Sequence, residues 1–348
     1  MPPRAIGVTR LESLNLAGNS LTGGIPSSLA RLPQLVYLNL GNNQLADALS
    51  VNSGEFEQLE WLSLRNNGLE GPIPPNLADI PGLVNLDLSQ NLLTGGIPPV
   101  LGQLLSLNVL NLGQNQLTGT IPTELGSLKG LRELRLIGNR LSGRISIWVT
   151  QLRDLEILDL SSNFLIGSIP PELSKLSALT QLDLSQNSLT GTIPATLGEL
   201  QNLTSLNLAH NRLGGPLPAE LGNMTKLASL DLSFNHFTGV VPEDFTKLKP
   251  VLGLRLNNNH LSAGSETVRQ FLDQYHSGGV TWSSSQSPWP GILGDLNGDG
   301  VKDVMDLVGL LRLVRRMDAL NPDTLKAGDR NGDQAVDAMD LRLLVPLH

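Results

Sequence analysis

Asparagine returns every 24 residues along most of this chain, at Asn19, Asn43, Asn67, Asn91, Asn115, Asn139, Asn163, Asn187, Asn211, Asn235 and Asn259. Ten consecutive steps of 24 hold without an insertion or deletion, and leucines sit at constant offsets around each Asn, as in Leu179-Thr180-Gln181-Leu182-Asp183-Leu184-Ser185-Gln186-Asn187. The unit reads LxxLxLxxNxLxGxIPxxLxxLxx. A unit this short cannot bury its leucines alone, so copies must stack into a quasi-one-dimensional array. The Leu-x-Leu step has the period of two of a strand, which turns Leu182 and Leu184 inward and Gln181, Asp183 and Ser185 outward. The composition agrees: 74 of 348 residues are Leu and aromatics make up only 3 %.

The other constant positions have scaffold roles. A tightly coiled backbone leaves N–H and C=O groups inside, and a carboxamide satisfies both kinds. The Gly after each ladder Asn, such as Gly119 or Gly191, permits tight backbone geometry, and the Ile-Pro step, such as Ile121-Pro122, fixes φ on the way to the convex side. Departures are few. Ala48-Leu49-Ser50 replaces Gly-Ile-Pro in the second unit, Ser146 replaces Pro in the sixth, and the eleventh decays into Ala263-Gly264-Ser265. Beyond it, apolar residues at Val268, Phe271, Leu272 and Tyr275 form a helical stripe, predicting a capping helix with Ser265 as its N-cap. At the other end, Pro2 to Val8 reads as the second half of a preceding repeat, one residue out of register, so the natural chain is expected to extend upstream with a signal peptide and N-terminal cap.

This pattern resembles the plant-type leucine-rich repeat over roughly residues 1–272. The resemblance implies an α/β solenoid, a right-handed superhelix with a parallel concave β-sheet as its usual recognition surface.

From Ser277 to Pro290 the hydrophobic period stops and Ser, Gly and Pro accumulate, which reads as a linker. After it, Asp295-Leu296-Asn297-Gly298-Asp299-Gly300-Val301-Lys302-Asp303-Val304-Met305-Asp306 matches a twelve-residue calcium loop. Ca²⁺ takes six to eight hard oxygens, and alternate positions aim side-chain oxygens into one cavity. Asp295, Asn297 and Asp299 fill those positions, Val301 offers its carbonyl, Asp303 acts through water and Asp306 closes the shell. A second copy starts 34 residues later, with Asp329, Asn331, Asp333, Ala335, Asp337 and Asp340 in the same roles and Gln334 where Gly is expected. The two loops hold 8 of the 10 acidic residues after Gly294, far more than a solvated face needs. Ser287-Pro288-Trp289-Pro290-Gly291 cannot form the entering helix of an EF-hand, and both loops end in Asp rather than Glu. A loop followed by one helix, duplicated, resembles the dockerin type I domain, which implies two calcium ions, a small α-helical fold and a cohesin-type partner. The pattern departs from it at Lys302, at Val304-Met305 and Ala338-Met339 in the partner-reading positions, and in the short second helix ending before Pro346. The expected organisation is therefore a solenoid over 1–276, a linker over 277–292 and a dockerin-like domain over 293–348.

With 24 Lys+Arg against 32 Asp+Glu and no basic run, a phosphate-dominated nucleic-acid surface is not expected. No apolar run approaches the ~20 residues of a membrane span. The absence of cysteine excludes disulfides, thiolate metal sites and cysteine nucleophiles. No HExxH, GxSxG or GxxxxGK[ST] is present, so no enzyme is expected. On the concave face most outward residues are small and consensus-like. The exceptions are Tyr37 and Trp61, which share a column in adjacent units, with Arg65 on the strand of Trp61; Arg132, Glu133 and Arg135 on the sixth strand; and Phe234 with Arg255 near the far end. Aromatic and Arg side chains are enriched at contact sites. The expectation is a non-enzymatic extracellular scaffold that binds a protein or a cell-wall glycan on the concave face and docks through its calcium module. Two alternatives follow from other resemblances and columns: an inhibitor or receptor-ectodomain role like that of polygalacturonase-inhibiting proteins, and ice binding through the column Thr22, Thr94, Thr118, Thr190 and Thr238, which Ala46, Glu70, Ile166 and Gly214 interrupt. Acidic calcium sites suit the millimolar calcium found outside the cell. Asn202-Leu203-Thr204 and Asn223-Met224-Thr225 are glycosylation sequons.

Overall fold

The computed structural model of the chain describes residues 10–29, 32–50, 55–248, 253–275, 282 and 286. Among them, eleven three-residue strands from Ser13–Asn15 to Gly253–Arg255 form one parallel sheet in strict chain order. Each central leucine lies beside the leucine 24 residues away, as Leu158 beside Leu134 and Leu182. These leucines are buried, and each contributes about 1.5–3 kcal/mol through removal from water. The expected solenoid and its concave parallel sheet are present.

A second, lateral set of parallel strands lies on the flank. It comprises a seven-stranded sheet running from Thr118–Thr120 to His260–Ala263 and two separate pairs nearer the N-terminal end. The convex side carries 3-10 turns, most of them entered through the Pro of the Ile-Pro step at φ between −61 and −70°. Ser146, which replaces that Pro, still holds an extended φ of −90°. These turns pack so closely that a Cβ on Gly198 would lie 2.3 Å from the Glu220 carbonyl oxygen, and only glycine fits there. In the second unit Asp47 occupies the glycine position with φ 73°.

The Asn column does what its chemistry allows. Asn163 Nδ2 donates to the carbonyls of Leu136, Leu160 and Ser161 at 3.0, 3.1 and 3.0 Å. Its Oδ1 accepts from the N–H of Leu141 at 3.0 Å, so a single side chain ties its own coil to the preceding one at two points. Asn19, at the first described rung, donates among the described residues to Leu16 and Ala17 alone.

The capping helix spans Glu266–Tyr275, and the Ser265 hydroxyl accepts from the Val268 N–H at 3.2 Å as an N-cap. Val268, Phe271 and Leu272 are buried against the last coil. The reading of 277–292 as linker needs one refinement. Gln286 Oε1 accepts from the Leu261 N–H at 3.4 Å and its Nε2 donates to the Leu256 carbonyl at 3.0 Å, the bonds a twelfth ladder Asn would make. Trp282 is buried, and Gln286 is half-buried. These two residues of that segment sit on the array.

Candidate functional site

The concave face presents its outward side chains in columns, because neighbouring strands are in register at ~4.8 Å. Tyr37 pairs with Trp61 across the sheet, and their rings stack with centroids 5.7 Å apart and planes 25° apart. Trp61 remains 41 % exposed. Asn39 lies within 3.4 Å of the Tyr37 hydroxyl, and Arg65 Nε donates to Gln90 at 3.3 Å. Asn85, next to Trp61 in register, is only 5 % exposed, and its Oδ1 has no hydrogen-bond partner among the described residues. A buried acceptor without a donor costs about 1–3 kcal/mol, and such groups call for an explanation. Here it lies beside the aromatic shelf.

The sixth strand is different in character. Arg132 Nη1 donates to Glu156 at 2.9 Å and Arg135 Nε to Glu133 at 3.2 Å. The structure thus places these residues in two separate ion pairs, Arg132 to the next coil and Arg135 along its own strand. Around them, carboxylates are clipped to the serine two residues on. The Ser161 hydroxyl donates to Asp159 and the Ser185 hydroxyl to Asp183, both at 2.6 Å, and Asp87 and Asp231 are held likewise by Ser89 and Ser233. Burial pushes the Asp159 carboxyl above the usual carboxylate range; the Ser161 bonds oppose the shift, the Asp183 charge adds to it, and Arg135 opposes it weakly.

Near the C-terminal end, His210 and Phe234 stack at 4.1 Å with planes 11° apart, and Phe234 is 42 % exposed. Both hold a left-handed φ of 55°, the position before each ladder Asn that other units fill with Gly, Asn, Gln or Ser. A bulky residue is uncommon there. With Asp231, Asn257 and Arg255, whose guanidinium lies 3.4 Å from Asp231, they line a concavity of about 430 Å³. The sequence singled out Phe234 and Arg255 near this end, and His210 joins them only in the structure. The signal for it was available, since 210 and 234 differ by one repeat.

The calcium-loop positions Asp295, Asn297, Asp299, Val301, Asp303, Asp306, Asp329, Asn331, Asp333, Ala335, Asp337 and Asp340 lie outside the described residues, as do Pro2 to Val8. Among the described residues no cluster of three or more His, Asp or Glu could hold a metal ion, and no helix is long and apolar enough to cross a membrane.

Comparison with known proteins gives a consistent picture. The Leucine rich repeat family matches residues 81–141 and 153–213, Leucine Rich repeats (2 copies) matches 9–53, and Leucine Rich Repeat matches 58–80 and 226–248. The Dockerin type I domain matches 293–345, which includes both acidic loops and supports calcium as their ion. Among solved structures, the plant peptide hormone receptor RGFR1 in complex with RGF2 is 32 % identical with a TM-score of 0.68, over 74 % of this chain and 45 % of that one. The Arabidopsis receptor kinase HAESA, in complex with the peptide hormone IDA and the co-receptor SERK1, is 33 % identical at 0.67, over 72 % and 42 %. A plant ice-binding protein is 30 % identical at 0.61, over 72 % and 81 %. The chain spans less than half the length of the two receptor structures. No curated protein matched the chain.

Proposed function

The chain belongs to the leucine-rich-repeat family, and on that premise we propose that it is a non-enzymatic extracellular scaffold that recognises a peptide or protein on its concave face and docks to a larger assembly through its calcium-binding C-terminal domain. The observation that carries the recognition role is the exposed Tyr37–Trp61 stack beside the orphaned Asn85 carboxamide. Rigid aromatics supply contact area at little conformational cost, and a ligand that displaces the indole brings a donor within reach of Asn85. The two receptors named above, one a peptide hormone receptor and the other in complex with the peptide hormone IDA, favour a polypeptide over a glycan. The lateral Thr column is broken by Ile166 and Gly214 and bordered by Arg140 and Arg144, so it offers no continuous hydroxyl array for ice.

For the C-terminal domain, residues 293–348, Asp295, Asn297, Asp299, Val301, Asp303 and Asp306 would hold one calcium ion, and Asp329, Asn331, Asp333, Ala335, Asp337 and Asp340 the second. The dockerin match favours a cohesin-type partner. Bound calcium supplies the charge that lets these carboxylates converge as the domain folds.

Two measurements test the proposal. Peptides selected from a display library on the immobilised full chain are re-measured on Trp61→Ala. A loss of about tenfold or more in affinity supports the concave site, and indifference to the substitution refutes it. Calorimetric calcium titration of the chelator-stripped full chain should give two sites at millimolar calcium or below, both lost in the Asp295→Ala, Asp329→Ala variant. Heat without saturation would sink the docking role.

A further inference from the structure

The lateral sheet carries a group of residues that the repeat does not explain. Phe164 and Ile166 stand two apart on the strand Phe164–Gly167 and are 60 and 49 % exposed. Among the described residues no other pair of exposed large apolar side chains shares a strand. Both occupy outward positions, since Leu165 between them is fully buried. The preceding strand, Arg140–Arg144, pairs Ser142 with Phe164 and Arg144 with Ile166. Arg144 is thus the direct neighbour of Ile166, and Arg140 lies diagonally from Phe164, at about 7–8 Å in a sheet. On the other side Ile166 pairs with Ser188, and Thr190, two residues on, pairs with Arg212. Arg144 and Arg140 therefore flank the two apolar residues on one side, and Arg212 lies two strands away on the other, beyond Ser188 and Thr190.

These arginines are unlike those of the concave face. Arg140, Arg144 and Arg212 are exposed, and none makes an ion pair or side-chain hydrogen bond among the described residues. The six strands from Thr118–Thr120 to His236–Val241 contain no Asp or Glu, in a chain whose net charge is −8. The acidic residues of the adjoining convex turns, Glu124, Glu172, Glu199 and Glu220, form no ion pair with them among the described residues.

We propose that this patch, Phe164 and Ile166 with Arg140 and Arg144 on one side and Arg212 on the other, is a second docking surface that takes an acidic segment of a partner protein presenting an apolar side chain. The guanidinium fork matches carboxylates bidentately, and unpaired arginines lose no existing partner when they bind. A ring and a branched aliphatic side by side suit a Leu, Ile or Phe of the partner. An acidic polysaccharide would meet the arginines but leave Ile166 unmatched. Attraction between an acidic segment and this patch also speeds encounter, an effect that salt weakens.

The test uses the full chain and a panel of short fluorescent peptides rich in Asp and Glu, each with Phe, Leu or Ile at varied spacing, followed by anisotropy. At least one should bind more tightly at low salt than at physiological salt. Its affinity should fall about tenfold in Arg140→Gln, Arg144→Gln, Arg212→Gln, and by a similar factor in Phe164→Ser, Ile166→Thr. Trp61→Ala should leave it unchanged, which separates this surface from the concave one. Denaturation midpoints close to wild type for the lateral-face variants exclude misfolding as the cause. Four results would overturn the proposal: no binding by any peptide; binding indifferent to these substitutions; equal binding when the apolar residues of the peptide are replaced by Ser, which is plain ion exchange; or displacement of the peptide by polygalacturonate at lower concentrations than by unlabelled peptide, which would assign the patch to a glycan.

Discussion

The concave and lateral sheets are built from the same 24-residue unit, yet they treat arginine in opposite ways. On the concave face Arg132, Arg135 and Arg255 each meet a carboxylate and Arg65 meets Gln90. On the lateral face Arg140, Arg144 and Arg212 meet none among the described residues. The reason lies in the residues each face carries: Glu133, Glu156 and the Asp column of the concave face supply carboxylates, whereas the lateral strands from Thr118–Thr120 to His236–Val241 carry no Asp or Glu. An arginine added to the first surface is neutralised by its neighbours, and a ligand must break that pair to use it. One added to the second stays available. Exposed aromatics invert the pattern, since on the concave face they stack on each other while Phe164 stands beside an aliphatic residue.

The comparison supposes one shared scaffold with two independent surfaces, and the sharpest way to break it is to damage the scaffold. Asn163→Leu strips partners from the Leu136 and Leu160 carbonyls and the Leu141 N–H. It should cost ~3–5 kcal/mol in denaturant unfolding and weaken both faces together. Asn19→Leu, at the sparsely bonded first rung, should cost much less. Gln286→Ala should cost about 1 kcal/mol and loosen only the C-terminal coil, read as faster amide exchange at Leu261. Trp61→Ala should remove about 1 kcal/mol of stacking, whereas Phe164→Ser should stay within ~0.5 kcal/mol; a larger loss for Phe164 would make it structural and end its role as a free surface.

The smallest effect concerns Asp159. Burial raises its carboxyl pKa in the folded state, so the folded chain holds the proton at pH values where the unfolded chain has released it. Its contribution therefore favours folding at mildly acidic pH and is lost as pH rises through the raised value. Asp159→Asn keeps an acceptor for Ser161 and removes the charge facing Asp183. A small gain in midpoint at neutral pH and a flatter pH profile are expected; a loss at neutral pH would show that the Arg135 attraction outweighs burial.

Much of this was legible in the sequence. The Asn period predicted eleven coils, the buried faces of the strands and the chemistry of the ladder, and the apolar stripe after Ser265 predicted the capping helix. Tyr37 and Trp61 were legible as a pair because parallel in-register strands put residues 24 apart side by side. Gln286 was not, since the capping helix breaks the period and places it 27 residues after Asn259 rather than 24. Nor were the ion pairs of Arg132 and Arg135, which run in different directions, one to the next coil and one along its own strand.

The sequence alone determined the period, and with it which residues share a column, which face water and which must be Asn, Gly or Pro, because a repeat of constant length admits one register. Only the tertiary structure decided which neighbours in those columns satisfy one another. Side-chain reach and burial, set by the packing of adjacent coils, stacked His210 on Phe234 and, among the described residues, left Asn85 Oδ1 without a donor and the arginines near Phe164 and Ile166 unpaired.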